Sequence, residues 1–172
     1  MGDIKVFISS VQREFACERR LLCDYIRTDS LLGRFFVPFI FEDMPASEVS
    51  AQKANLAQAA ESHIYLGIFG TQYGYEDSEG VSPTEREYDT AKAHFVHRLV
   101  YTLRTESKRE PKEQVFVKKV EQELVRRSFT TYEELRTAVY NSLIDYLEQK
   151  EFIRKAPFDA AAHPVATYDD ID

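Results

Sequence analysis

Short apolar runs alternate along the chain with longer segments in which apolar residues recur at helical spacing. The short runs have the length and composition of buried strands and cover residues 4–9, 35–42, 63–70, 97–103 and 125–130. The helical segments cover residues 11–28, 50–60, a stretch that opens at Ser82, 113–124 and 130–149. The pattern therefore predicts strands and helices in regular alternation.

This alternation predicts an α/β protein with a doubly wound parallel sheet and helices on both faces. Pro38 lies inside the second strand, and an internal proline favours an outer position in a sheet. The fifth strand is short and polar, so we predict five strands in the order 2-1-3-4-5. The periodicity stops near residue 152. We therefore predict one domain over residues 1–150 and a linker or docking tail over residues 151–172.

The charge of the chain argues against direct nucleic-acid binding by this domain. Its 172 residues include 29 acidic and 22 basic side chains, which gives a formal net charge of -7. Such a surface has no broad cationic field for a phosphate backbone. Two basic stretches, residues 106–112 and 117–127, leave a local patch as an alternative.

No apolar run reaches the roughly 20 residues of a membrane span, so we expect a cytoplasmic protein without membrane contact.

The cysteines and histidines do not suggest a metal centre. Cys17 and Cys23 lie in one predicted helix with side chains about 240° apart, so we expect two reduced core thiols rather than a disulfide. The four histidines are not spaced as a set of ligands. The first strand lacks a glycine-rich phosphate loop after it, and the chain has no P-loop motif. We expect neither a metal nor a bound cofactor.

The predicted strand order places a ligand site outside the carboxyl ends of strands one and three, where the order reverses. Polar residues follow strands one and two, a glycine- and tyrosine-rich loop follows strand three, and the helix at Ser82 opens from the same edge of the sheet. The candidate ligand-binding residues are Ser9, Ser10, Glu42, Gly70, Tyr73, Gly74, Ser82 and Glu85. Two alternatives stay open: Ser10 as the N-cap of the first helix, and residues 70–80 as a plain flexible connection.

Glu85 and Glu87, both near the start of the third helix, receive different interpretations. With Ser82 as N-cap and Pro83 in the first helical position, Glu85 completes a capping box. Glu87 lies about 160° from Glu85 around the helix and is not explained by capping. A carboxylate there suits ribose hydroxyls or an oxocarbenium-like centre, and the alternative is a solvated helix flank. Glu87 is the candidate catalytic residue. The positions expected to face the sheet are Thr84, Tyr88, Ala91 and Phe95.

Three sequence blocks resemble a family of unknown function that is similar to Toll/interleukin-receptor (TIR) domains and nucleoside 2-deoxyribosyltransferases. The blocks are KVFISSVQREFACERRLL, IYLGIFGTQYG and GVSPTEREYDTA, and the closing helix FTTYEELRTAVYNSLIDYL also matches. The resemblance covers residues 4–148. It implies a flavodoxin-like fold that serves as an N-terminal module of Schlafen/AlbA-type and RecG-helicase-related regulators. It also implies that Glu87 occupies the position at which related enzymes act on an N-glycosidic bond.

Two functions follow as expectations. The first is a ligand-sensing and interaction module of a larger, DNA-linked regulatory or helicase-related ATPase protein, with a nucleotide or NAD-like small molecule and a downstream domain of the same chain as partners. Homo-oligomers remain an open option. The alternative is an N-glycosidase or NAD-cleaving TIR-like effector. In it Glu87 is the catalytic carboxylate, Ser9 and Ser10 hold phosphate or ribose, and Tyr73 closes over the base.

Overall fold

The computed structural model describes residues 4–46 and 48–154. It divides into two compact units, Met1–Val139 and Tyr140–Asp172, and the last helix begins in the first unit and ends in the second. Most of the predicted tail, from residue 155 onward, lies outside the described residues. Within the described ranges no helix is both long and apolar enough to cross a membrane. The sheet and the candidate site belong to the first unit.

The sheet has five parallel strands in the order β2-β1-β3-β4-β5. The strands are β1 (Ile4–Ser10), β2 (Phe36–Phe39), β3 (Ile64–Phe69), β4 (His97–Leu103) and β5 (Arg127–Phe129). The helices are α1 (Gln12–Thr28), α2 (Leu32–Phe35), α3 (Ala51–Glu61), α4 (Pro83–Ala93), α5 (Pro111–Glu123) and α6 (Tyr132–Gln149). The predicted α/β, flavodoxin-like fold class and the predicted strand order are confirmed.

Two of the three inner strands, β1 and β3, are almost entirely buried on both faces. All residues of β3 are buried, and in β1 only Lys5 is exposed. Helices cover both faces of a parallel sheet, so its inner strands need continuous apolar runs rather than alternation. The outer strand β2 contains Pro38, which lies opposite Val6 in the ladder with β1. Because β2 has a neighbour on one side only, the missing N–H of the proline is tolerated there.

The second strand is shorter than predicted, because the chain turns at both of its ends. The run expected at residues 35–42 forms a strand only over Phe36–Phe39. Phe35 is the last residue of α2, which starts where the Asp29 carboxylate accepts hydrogen bonds from two backbone N–H groups. After the strand, a 3-10 turn over Phe41–Asp43 is tied to arginines of α1. These side-chain contacts shorten the strand to Phe36–Phe39, although the apolar run is longer.

Two expected core positions are wrong. Phe95 was expected to face the sheet, but α4 ends at Ala93, and Phe95 has a φ of 58° and is 96% exposed. The helical stripe therefore stops one turn earlier than its spacing predicts. Cys17 was expected in the core and is exposed, whereas Cys23 is buried as predicted, and both are free thiols.

An aromatic cluster fixes the inner face of α4. Tyr88 packs edge-on against Tyr65, Phe69 and Phe116, with ring centroids 5.8, 6.4 and 5.6 Å apart. The Tyr88 hydroxyl donates a 2.8 Å hydrogen bond to Glu123 of α5 and accepts one of 2.6 Å from Arg98 of β4. Such ring pairs add about 0.5–1.5 kcal/mol each beyond the area they bury. Tyr88 thus anchors α4, the helix that also carries Glu87.

Candidate functional site

The start of α4 separates Glu85 from Glu87. Ser82 is the N-cap, and its Oγ accepts a 3.2 Å hydrogen bond from the Glu85 N–H. The Glu85 carboxylate accepts hydrogen bonds from the Tyr73 hydroxyl (2.6 Å) and from Lys119 Nζ (3.0 Å). The Ser82 N–H donates to the Tyr73 hydroxyl (3.2 Å). Only half of the predicted capping box forms: Ser82 caps the Glu85 N–H, and the Tyr73 hydroxyl, not the Glu85 carboxylate, accepts the Ser82 N–H.

Glu87 turns the other way and is buried, with 6% of its surface exposed. Its Oε2 accepts a 2.5 Å hydrogen bond from Ser9 Oγ at the end of β1. Its Oε1 accepts a 3.2 Å hydrogen bond from Asn55 Nδ2 of α3. The alternative of a solvated helix flank is therefore wrong. Side chains from β1 and α3 thus converge on a carboxylate of α4.

The surroundings of Glu87 favour a proton on it. Burial raises the pKa of Glu87 to about 7, because a charged carboxylate loses hydration there. The hydrogen bond from Ser9, the charge of Arg19 and the hydrogen bond from Asn55 oppose this rise, and the charge of Glu42 adds to it. A carboxyl with a pKa near neutrality can exchange protons at physiological pH.

Arg19 and Glu42 form a second polar pair beside Glu87. Arg19 is 3% exposed, and its Nε and Nη2 donate to the two Glu42 oxygens at 3.0 and 2.8 Å. Burial opposes the charge on Glu42, but Arg19 outweighs it and the pKa of Glu42 is lowered. Arg19 Nη1 also donates to the carbonyl oxygen and the hydroxyl of Ser10. The alternative of Ser10 as N-cap of α1 is wrong, since Val11 takes that position.

A cavity of about 670 Å³ opens beside these residues. Of the predicted site, the residues that line it are Ser10, Glu42, Tyr73, Gly74 and Glu87. Ser9 lies behind Glu87 and contacts its carboxylate. Within the described part of the chain, Gly70, Ser82 and Glu85 are not on this cavity wall. The cavity thus brings together five of the nine predicted site residues.

Gly70 serves the loop rather than the cavity. A Cβ at Gly70 would overlap the carboxylate of Glu14. That carboxylate accepts hydrogen bonds from the Thr71 N–H (2.6 Å), the Thr71 hydroxyl (2.7 Å) and the Gln72 N–H (3.1 Å). Glu110 accepts the Tyr73 N–H at 2.7 Å. Two carboxylates thus fix the loop that brings Tyr73 and Gly74 to the cavity, so this part of the loop is not a plain flexible connection.

Sequence reasoning missed the two polar residues nearest Glu87 on the cavity wall, Arg19 and Asn55. Arg19 lies in the first matched block, but nothing in its helical spacing signals a partner 23 residues away. Asn55 lies in an alanine-rich helix that was interpreted by propensity alone. An asparagine in a segment of strong helix formers is the one local signal, because it is a weaker helix former than its neighbours.

The remaining wall combines an open helix end with apolar side chains. Val11, Gln12 and Arg13 line the cavity at the start of α1, where no side chain caps the helix. Phe41, Leu56 and Tyr75 line it as well. In the described parts of the chain no group of three or more His, Cys, Asp or Glu side chains is placed to hold a metal ion. The donors and surfaces present suit an organic ligand.

Comparison with known families places this arrangement in context. The family described as Domain of unknown function (DUF4062) matches residues 5–144. The chain belongs to the DUF4062 family. The expectation of a family of unknown function is confirmed, and the match spans every cavity residue and all of the sheet except Ile4. A search of the curated proteins finds no match to the chain.

Proposed function

We propose that this DUF4062 domain is a sensing module that binds a ribose-bearing small molecule, a nucleotide or an NAD-like compound, in the cavity beside Glu87. The observation that carries the proposal is the buried Glu87 carboxylate on the cavity wall, fixed by Ser9 and Asn55. An ionised carboxylate only accepts hydrogen bonds, and it takes them readily from sugar hydroxyls. Burial strengthens such bonds because water does not compete.

The size of the cavity supports a ligand of this class. Its volume of about 670 Å³ lies within the roughly 300–1,000 Å³ typical of small-molecule sites. The wall is mostly apolar with a few converging polar groups, which is the composition that orients a bound organic molecule. Phe41, Leu56 and Tyr75 provide surface for a planar base. Tyr75 is 77% exposed and lies in the loop at the cavity, so its ring is free to stack on a base.

The start of α1 supports a phosphate-bearing ligand. The first N–H groups of a helix have no partner within the helix and carry a partial positive charge. Val11 provides no side-chain cap, and Gln12 and Arg13 lie on the cavity wall. Arg13 donates from Nε and Nη2 to Gln72 Oε1, a neutral acceptor, so this contact leaves its charge uncompensated. A phosphate at this end of the cavity would be bound by both charge and hydrogen bonds.

The wider context of the module comes from the sequence blocks. Their resemblance to TIR domains and to modules of Schlafen/AlbA-type and RecG-helicase-related proteins supports a place in a larger, cytoplasmic, DNA-linked regulator. In that arrangement a downstream domain of the same chain, not DNA, is the partner of this module. Its formal charge of -7 fits that role.

Titration calorimetry with AMP, ADP-ribose, NAD and free adenine tests the proposal. We expect the ribose-bearing compounds to bind and adenine to bind weakly or not at all. Glu87→Gln keeps the shape of the side chain and removes the charge, so it should weaken binding at least about tenfold, the equivalent of 1.4 kcal/mol. The matched control is Glu106→Gln, in an exposed loop. If no compound of the panel binds the wild-type domain, the proposal is wrong.

A second candidate is hydrolysis of an N-glycosidic bond, favoured by the pKa of Glu87 near 7. In its ionised form Glu87 would stabilise the oxocarbenium-like centre formed as the C1′–N bond of NAD breaks. Nicotinamide leaves as a neutral molecule, the oxygen of a water molecule bonds to C1′, and the ionised Glu87 accepts the proton of that water and passes it to solvent. Release of nicotinamide, measured for the wild type and Glu87→Gln, decides between sensing and cleavage. Binding without release at any protein concentration would exclude cleavage of NAD.

A further inference from the structure

A buried hydroxyl close to Glu87 lacks a hydrogen-bond partner. Tyr65 of β3 is fully buried, with 0% of its surface exposed. Its phenol oxygen is one of the buried side-chain atoms without a hydrogen bond among the described residues. An enclosed donor without an acceptor costs about 1–3 kcal/mol. Such a group in a well-packed core calls for a specific explanation.

Gly67 allows the ring of Tyr65 to extend toward Ser9. Gly67 lies directly opposite Ser9 in the β1–β3 ladder. A Cβ at Gly67 would come within 2.9 Å of Tyr65 Cε1 and 2.8 Å of Phe69 Cζ, so these rings occupy the space that a side chain would need. The Tyr65 ring therefore covers the position across from Ser9. Since Gly67 follows Tyr65 by two residues, the ring extends toward the carboxyl end of β3.

The pKa of Tyr65 responds to the same two groups. Burial raises the pKa of Tyr65 well above its ordinary value, and the negative charge of Glu87 raises it further. The Ser9 hydroxyl opposes this rise. Both Ser9 and Glu87 are thus within interaction range of the phenol.

Ser9 has an unused capacity that matches the donor of Tyr65. A serine hydroxyl has one proton to donate and two lone pairs to accept with. Ser9 donates its proton to Glu87 Oε2 at 2.5 Å, so its lone pairs remain for a donor. In a chain of hydrogen bonds each bond polarises the next and strengthens it.

We infer that Tyr65 is a positioning residue for Glu87, acting through Ser9 in a chain from the Tyr65 hydroxyl to Ser9 Oγ to Glu87 Oε2. By donating to a lone pair of Ser9 Oγ, Tyr65 keeps the single hydroxyl proton of Ser9 directed at Glu87. This hydrogen bond stabilises the ionised form of the Glu87 carboxylate. This leaves Oε1 as the oxygen that meets the ligand. The role in ligand binding rests on the function proposed above, whereas the effect on Glu87 does not.

Other groups also influence the pKa of Glu87, and a test of Tyr65 must leave them unchanged. The guanidinium of Arg19 faces it from α1, and the carboxylate of Glu42 from the 3-10 turn after β2. α3 contributes the uncharged amide of Asn55. None of these side chains is altered by removing the hydroxyl of Tyr65, so a change in the titration of Glu87 would report the chain itself.

A carboxyl-carbon NMR titration of the ligand-free chain with labelled glutamate tests the inference. The Glu87 resonance is assigned by its loss in Glu87→Gln. We expect a midpoint near pH 7 in the wild type, and a rise of about 0.5 pH unit in Tyr65→Phe, less than one full hydrogen bond would give. Ser9→Ala should raise the midpoint more. Adding Tyr65→Phe to Ser9→Ala should not shift the midpoint further, because the Ser9 hydroxyl that links Tyr65 to Glu87 is already absent.

Two variants control for packing. Tyr101→Phe removes a hydroxyl from another buried tyrosine and should leave the Glu87 midpoint unchanged. Ser9→Thr keeps the hydroxyl and should titrate close to the wild type. An unchanged midpoint in Tyr65→Phe overturns the inference, as does an equal shift with and without Ser9. The titration contains no ligand. A failure of the calorimetry panel therefore does not affect its result, and a failure of the titration does not affect the result of the panel.

Discussion

The hydroxyl of Tyr73 donates a 2.6 Å hydrogen bond to the carboxylate of Glu85. The same oxygen accepts the backbone N–H of Ser82 at 3.2 Å. A loop residue thus takes part in the start of α4, and the carboxylate of Glu85 is directed toward Lys119 of α5 rather than the cavity. This relationship resolves the two neighbouring glutamates: Glu85 serves the helix start, and Glu87 is left for the cavity.

Replacing Tyr73 by phenylalanine should destabilise the domain by about 1–2 kcal/mol, because the buried Ser82 N–H loses its acceptor and Glu85 loses a donor. The measurement is the free energy of unfolding in urea. Tyr75→Phe is the matched control, since Tyr75 lies in the same loop and is exposed. Equal stability of the two variants would show that the Tyr73 hydroxyl does not support the helix start.

Replacing Glu87 by glutamine should stabilise the domain increasingly as the pH rises. The pKa of Glu87 is about 7 in the folded protein against 4.5 for an ordinary glutamate. Between these values the folded state binds more protons than the unfolded state, so the wild type loses stability as the pH rises through this window. Glutamine does not titrate. The difference in unfolding free energy should therefore grow in favour of the variant by about 3 kcal/mol between pH 4 and pH 8.

Urea unfolding at each pH unit checks this dependence on Glu87. Glu106→Gln, in an exposed loop, should show a nearly constant difference from the wild type. A Glu87→Gln curve parallel to the wild type from pH 4 to pH 8 would mean that the folded-state pKa is not raised.

Glu113 of α5 should show the same behaviour at higher pH. Burial first, and then the charge of Glu14, raise its pKa to about 8, and Arg109 opposes the rise. The wild type should therefore lose stability from the ordinary value of 4.5 up to about 8. Glu113→Gln should remove this loss, with its advantage still growing above pH 7, where that of Glu87→Gln has levelled off. Unfolding curves of both variants at pH 6, 7, 8 and 9 separate the two groups.

Gly70→Ala should lower stability by about 1–3 kcal/mol, because the new methyl group displaces the Glu14 carboxylate from the Thr71 and Gln72 N–H groups. In a Glu14→Ala background the same substitution should cost much less, since the clash is absent. Unfolding free energies of the two single variants and the double variant give the coupling.

Gly74→Ala is the comparison for Gly70→Ala. Its φ of 86° penalises any side chain by about 1–2 kcal/mol, and Glu14→Ala should not relieve that cost. Similar coupling of both glycines to Glu14 would contradict the direct clash at Gly70.

The sheet could be predicted because its signals are local or follow from general rules. Continuous apolar runs identify inner strands, Pro38 identifies an outer one, and the handedness of crossovers leaves few orders. Where tertiary contacts compete with the pattern, the prediction failed. The run at residues 35–42 is interrupted because Arg19, Arg20 and Arg27 bind the carboxylates that follow the strand.

The candidate site was predictable only in part. The position of Glu87 follows from helix geometry and from the switch point of the sheet. Its partner Asn55 lies 32 residues away in another helix, and no periodicity reveals such a pairing. For the same reason Gly70 was predicted to bind the ligand, although the Glu14 carboxylate occupies the space beside it.

The neighbouring positions of Glu87 and Tyr88 determine which wall of the cavity can adapt to a ligand. Tyr88 is held by three rings and two hydrogen bonds, so α4 resists rolling about its axis. The helix beside it, α3, also lines the cavity and buries only Ala59 among its residues. We therefore expect α3 to shift when a ligand enters, and Asn55 to carry that shift to the surface of the domain.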